Sequence, residues 1–232
     1  MYPVWVALLI SYVYAFGILL VIEAIGRRFR WPLDTSRKLV HIAAGMWIWG
    51  ILYLFHDWRW GLVPFATFIL LNYLFYKKQI FKQMDAADSS PGTVYFAISI
   101  TLLFGLLWRT GDAPDLAPVA AAGVMAMTWG DAFASLVGRK WGRHVYRISG
   151  HPKSWEGSAA MALFSFAAIY LTLWLLPGSS LSPNSPIWTA GRVLCFSSSA
   201  AALATIAEAL SPRGTDNLSV PILTSALLYL LR

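Results

Sequence analysis

Eight apolar runs, separated by short polar connections, occupy most of the chain and leave it few ways to fold. They span roughly Val4–Ile25, Arg37–Phe55, Trp60–Tyr76, Thr93–Trp108, Leu116–Gly138, Gly157–Leu176, Ala190–Leu210 and Asn217–Leu231. A helix crossing a bilayer needs about 20 apolar residues, within a range of ~17–25, and most of these runs meet it. A soluble alternative fails on composition. The 232 residues are 58% hydrophobic and 12% charged, against roughly 25% charged in soluble domains. Burial saturates near ~75% of the surface even at about 300 residues, so a soluble fold could not hide so much apolar area. The 12 Trp and 10 Tyr suit a chain with two membrane–water interfaces. The expected fold is an all-α polytopic transmembrane bundle of eight helices, or seven if the last run, short and carrying Pro221, does not span. It forms one membrane domain over residues 1–232.

The cations orient the bundle. Fourteen of the 18 Lys and Arg residues fall on odd-numbered connections: Arg27, Arg28, Arg30, Arg37 and Lys38 on the first; Lys77, Lys78 and Lys82 on the third; Arg139, Lys140, Arg143, Arg147 and Lys153 on the fifth; Arg213 on the seventh. Arg59, Arg109, Arg192 and Arg232 lie on the other side. The positive-inside rule puts the odd connections in the cytoplasm and the N-terminus outside. The net charge of +7 is therefore read as orientation and contact with headgroups or phosphates, not as nucleic-acid binding. No basic stretch precedes the first run, so a retained first helix is expected, not a cleaved signal. The single Cys195 excludes an internal disulfide framework.

Several polar residues interrupt this pattern. Helix five carries Ala122, Ala126, Gly130, Ala134, Gly138 and Gly142 at every fourth position, a stripe that lets neighbouring helices approach closely and places helix five at the bundle's centre. Packing explains the stripe but not Asp131 beside it. A carboxylate there costs at least ~2.5–3.5 kcal/mol unless something pairs with it. Hard cations such as Mg²⁺ bind carboxylate and phosphate oxygens together, which makes a metal at the membrane edge the stronger reading over a structural ion pair.

Lys153-Ser154-Trp155-Glu156-Gly157-Ser158 opens helix six. A helix N-terminus offers free N–H groups to phosphate, Lys153 adds a point charge, Ser154 is a candidate cap, and Gly157 allows close backbone approach. Helix seven ends at Ser211-Pro212, the chain turns at Gly214, and Asp216 or Asn217 caps helix eight. Glu208, Asp216 and Asn217 are candidate oxygen ligands on the same face as Asp131. Arg37, Lys38 and His41 share one face of helix two through i,i+3 and i,i+4 spacing. Asp88 to Phe96 reads by itself as a turn into helix four. His56, His144 and His151 sit in connections without ligand spacing, and no P-loop, kinase catalytic loop or nucleophile elbow is present.

Together, Arg37-Lys38-x-x-His41, Gly130-Asp131 with Ala134, Gly138 and Gly142, Lys153 to Ser158, Glu208 to Leu218, and the Ser90 to Phe96 stretch resemble the polyprenol kinase family, which includes dolichol kinase, phytol kinase and a CTP-dependent diacylglycerol kinase. Each motif is weak alone; their order from about residue 37 to 221 is specific. The resemblance implies a CTP-dependent kinase that phosphorylates the hydroxyl of a membrane lipid alcohol and releases CDP, with Mg²⁺ or a similar cation. Phosphoryl transfer is mostly positioning and charge neutralisation. On that basis Asp131, with Glu208 or Asp216, is expected to hold the metal. Lys153 and the start of helix six, with Ser154, Gly157 and Ser158, are expected to hold phosphate, alongside Gly130, Gly138, Gly142 and Asn217. Arg37 and Lys38 would offset charge in the transition state, and the base is Asp131, Glu156 or His41. A phosphatidate cytidylyltransferase-like enzyme, diacylglycerol as acceptor, and, more distantly, a transporter are the rival readings. Against the transporter, the two halves show no internal repeat.

Overall fold

The structure is a computed structural model that describes residues 2–80, 91–110, 114–148, 151–212 and 214–232. Asp88, Ser89, Ser90, Lys82 and Arg213 lie outside the described residues. Among the described residues there are eight helices: α1 (Val4–Arg28), α2 (Leu33–Leu54), α3 (Trp58–Lys78), α4 (Gly92–Leu107), α5 (Ala117–Trp141), α6 (Trp155–Leu175), α7 (Ala190–Leu210) and α8 (Asp216–Leu231). Local chemistry sets their ends. Asp57 accepts from the Arg59 N–H at 2.9 Å and starts α3 directly after α2, so the two helices are joined by a tight turn. Ser154 Oγ accepts from Gly157 N–H at 3.1 Å and caps α6. Pro118 sits in the first turn of α5, where its missing N–H costs nothing.

Helix five is the centre. Every residue from Ala117 to Thr128 is buried, and α2, α4, α6 and α8 all pack on it. The small-residue stripe is the seat of α6. A Cβ on Gly130 would fall 2.1 Å from Ser165 Oγ and 2.6 Å from Met161 Sδ, and one on Gly157 would fall 3.0 Å from the Ala134 carbonyl oxygen. Helices α1 and α3 stand outside this group, α1 against α2 and α3 against α4. Large apolar side chains such as Leu20, Leu106, Leu163 and Leu230 face outward, as a lipid solvent requires.

By length and apolar composition α1, α5, α6 and α7 are each able to cross a membrane. The first turns of α2 carry Asp34, Arg37 and Lys38, so that end is polar although the helix has 22 residues. Helices α4 and α8 are apolar but only 16 residues long, about 24 Å at 1.5 Å per residue.

Two sequence expectations change. The fifth connection reads as a basic loop but folds as an antiparallel hairpin, β1 (Val145–Ile148) against β2 (His151–Ser154), with Tyr146 opposite Lys153. Tyr146 anchors it to α6: its hydroxyl lies 2.6 Å from Ser158 Oγ and its ring packs on Trp155. At α8, neither Asp216 nor Asn217 is the cap. Thr215 holds that position without a side-chain cap bond. Gly214, at φ +85°, turns the chain in the left-handed region open to glycine, and Asp216 becomes the first residue inside the helix.

Candidate active site

Cations of the first and fifth connections gather at two neighbouring cavities. One is a polar cup of about 490 Å³ formed by the first turns of α2, α6 and α8, the last turns of α5 and α7, and the hairpin residues Val145 and Pro152. The other is an apolar cleft of about 180 Å³ between α1, α2, α3 and α4. Asp34, Arg37, Lys38, Asp131 and Asn217 line both. The cup and the cleft therefore meet at one polar junction. The positive ends of α2, α6 and α8 open onto the cup, and that field favours anions.

Three ion pairs frame it. Lys38 Nζ donates to Asp131 Oδ2 at 2.5 Å, joining α2 to α5. Lys153 Nζ donates to Glu208 Oε1 at 2.6 Å and also to the Glu208 carbonyl, joining the hairpin to α7. Asp34 pairs with Arg139. Two charged groups of the cup are left over. Arg37 has no hydrogen-bond or ion-pair partner among the described residues. Asp216 receives hydrogen bonds from the Asn217 N–H and amide on Oδ1, with no cation paired to it among the described residues. Each lysine uses only part of its three donors. A ligand entering the cup thus meets a free guanidinium on one side and a free carboxylate oxygen on the other.

Over 221 residues the chain is 33% identical to the phytol kinase of Synechocystis sp., covering 95% of this chain and 89% of that protein. The chain belongs to the polyprenol and phytol kinase family. It is also similar to phytol kinase 1, chloroplastic, of Arabidopsis thaliana, at 28% identity over 238 residues, 93% of this chain and 72% of that protein. No family model matches the chain, and no solved structure matches it.

The kinase-family motifs assemble unevenly. Arg37, Lys38, Asp131, Lys153, Ser154, Gly157, Ser158, Gly138, Glu208, Asp216 and Asn217 all line the cup. Gly130 and Gly142 do not. Gly130 faces Met161 and Ser165 inside the bundle, and Gly142 closes α5 against Ser154, so both serve helix packing. Glu156 turns away from the cup and binds His144, Nδ1 to Oε1 at 2.7 Å, with the His144 N–H also donating to it. It fastens the hairpin to α6. His41 lies on the cleft side, its ring against Phe96 and Nε2 3.3 Å from the Met127 carbonyl oxygen. The start of α6 offers less to phosphate than its sequence suggests. Trp155 N–H already donates to the His144 carbonyl and Gly157 N–H to Ser154 Oγ. Lys153, bonded to Glu208, is the cation that lines the cup there.

Asp131, Glu208 and Asp216, the carboxylates expected at the metal, all line the cup. Among the described residues no three His, Cys, Asp or Glu side chains converge; Lys153 pairs with Glu208 and Lys38 with Asp131. A magnesium ion does not need three, since it binds through one or two carboxylates plus substrate phosphates. Asp131 and Asp216 are close enough to act on each other electrostatically, and these are the two carboxylates that could fill such a role.

Sequence reasoning missed Asp34, Arg139 and the hairpin wall. Asp34 stands in the first turn of α2 and Arg139 in the last turn of α5. Each reads locally as dipole compensation, and only the fold brings them together.

Proposed function

We propose that this protein phosphorylates the hydroxyl of a membrane lipid alcohol of the phytol or prenol kind, taking the γ-phosphate of CTP and releasing CDP. One observation carries the reading: the polar cup and the apolar cleft share Arg37, Lys38, Asp131 and Asn217. A lipid alcohol kinase needs that arrangement, with a polyanion on one side of the reacting oxygen and a hydrocarbon tail on the other. The positive-inside rule puts the cup in the cytoplasm, where the nucleotide is. CTP as donor rests on the motif resemblance.

In this reading the tail lies in the cleft and the hydroxyl reaches the junction. Its oxygen attacks the γ-phosphorus, the bond to the bridging oxygen of CDP breaks, and the hydroxyl proton leaves. Asp131 is the base best placed to take that proton, because it alone of Asp131, Glu156 and His41 faces both cavities. Lys38, donating to Asp131 Oδ2, orients that carboxylate. Arg37 and the remaining donors of Lys38 and Lys153 bind phosphate oxygens and stabilise the charge spread over them in the transition state. Asp216, with Asp131, would hold Mg²⁺, which neutralises phosphate charge when bound.

The test is transfer of label from γ-labelled nucleotides to lipid alcohols by purified protein in lipid or detergent. Label from CTP should appear in a lipid monophosphate when phytol or a short prenol is supplied. A CDP-linked lipid would overturn the kinase reading, and equal transfer from ATP would overturn the choice of CTP.

A further inference from the structure

The apolar cleft has a floor, and that floor gives the alcohol a length limit. Along α2 the lining residues run from Lys38 at the junction through His41 and Ala44 to Trp47; along α4 they run from Gly92 through Phe96 to Ile100. At 1.5 Å per residue the cleft is about 12–14 Å deep. At its far end Trp47 stacks on Tyr14 of α1, ring centroids 4.0 Å apart and 17° from parallel. The Tyr14 hydroxyl donates to the Ala43 carbonyl at 2.9 Å, so the stack is pinned across the α1–α2 gap. Ser11, Pro64, Phe65 and Ile100 line the same end and complete the floor. Directly beyond it Ala7, Ile51 and Phe104 are closely packed, at 1%, 0% and 0% exposure. On the α1–α3 side, Tyr12 and Phe16 pack on Phe68, and the Tyr12 hydroxyl donates to Thr67 at 2.9 Å.

From this geometry we infer that the Tyr14–Trp47 stack is a length stop that selects acceptor alcohols by the size of their tail. The inference rests on the kinase reading above. With carbon–carbon bonds of about 1.5 Å, an extended chain advances roughly 5 Å per isoprene unit. The cleft therefore takes about two to three units extended. Longer tails meet packed core. Small residues line its middle, Ala44 on α2 and Ala97 on α4, and enlarging one of them should raise the floor.

The experiment compares kcat/KM for geraniol, farnesol, geranylgeraniol, phytol and undecaprenol, each in mixed micelles, for the wild type, Trp47→Ala and Ala97→Leu. Ratios between alcohols within one variant do not depend on how much of that variant folds. The wild type should drop by about tenfold or more from farnesol to undecaprenol, the scale of a steric mismatch in an apolar pocket. Trp47→Ala should move the optimum to longer tails, and Ala97→Leu should move it to shorter ones. A wild type that handles undecaprenol as well as farnesol, or length ratios unmoved in both variants, overturns the length stop and leaves the kinase reading standing. Absence of transfer to every alcohol overturns both.

Discussion

Two buried carboxylates, one at each end of the bundle, meet opposite fates. Asp115, just before α5, is 4% exposed. Its Oδ1 accepts from the Arg109 N–H at 3.1 Å and the Ala117 N–H at 3.0 Å, and the Ser182 hydroxyl donates to Oδ2. The nearby Arg109 guanidinium turns to the Gly105 and Trp108 carbonyls and stacks on Trp58. Neutral donors and backbone satisfy Asp115, and it lines neither cavity. Asp131, similarly buried, is held by one lysine and faces two cavities. A buried acid in a membrane bundle is thus not a site by burial alone. What marks a site is incomplete satisfaction beside open space.

Mutagenesis can break this contrast. Asp131→Asn should lower turnover by about 10²–10⁴-fold, the range of positioned acid–base groups, in protein that remains monodisperse in detergent. Asp115→Asn should keep turnover per folded molecule and instead lower thermal stability by about 1–3 kcal/mol, the cost of upsetting a buried hydrogen-bond set. The reverse pattern in paired activity and unfolding assays would refute the division of roles.

Lys153→Met should cost about 3–5 kcal/mol, because Glu208 is left buried without its partner. The double variant Lys153→Met with Glu208→Gln should recover most of that loss in thermal unfolding while transfer stays slow. Recovery of both would reduce Lys153 to a structural tie. Arg37→Ala is expected to leave the unfolding temperature in place and raise KM for the nucleotide by about ten- to a hundredfold, the worth of a charge-assisted hydrogen bond or two. An unchanged KM would remove Arg37 from the phosphate site. The smallest effect belongs to Glu156→Gln. Its ion pair with His144 is exposed, and such pairs contribute little, so turnover should stay within about twofold of wild type. A severe loss would return Glu156 to the chemistry.

The helices were legible because hydropathy reports them directly. All eight runs became helices with shifts of a few residues at their ends. Asp131, Lys153 and Asp216 were legible because a charge in an apolar run, or beside a helix start, has few bland explanations. The hairpin was not, since two four-residue strands among basic residues look like any polar connection. Glu156 was misplaced because sequence gives its position in the first turn of α6 but not its direction, which His144 decides. The cleft was invisible for a different reason: Tyr14, Trp47 and Ala97 are ordinary membrane-helix residues whose shared boundary exists only once four helices are packed.

Helices α4 and α8 both begin at the junction and both fall short of the ~30 Å hydrocarbon thickness of a typical bilayer. A bilayer around them must thin locally or admit water down to the level of Gly92 and Asp216, and each ångström of mismatch carries a modest energetic cost. Bilayer thickness therefore sets how far water and headgroups reach toward the cup at that end of the bundle.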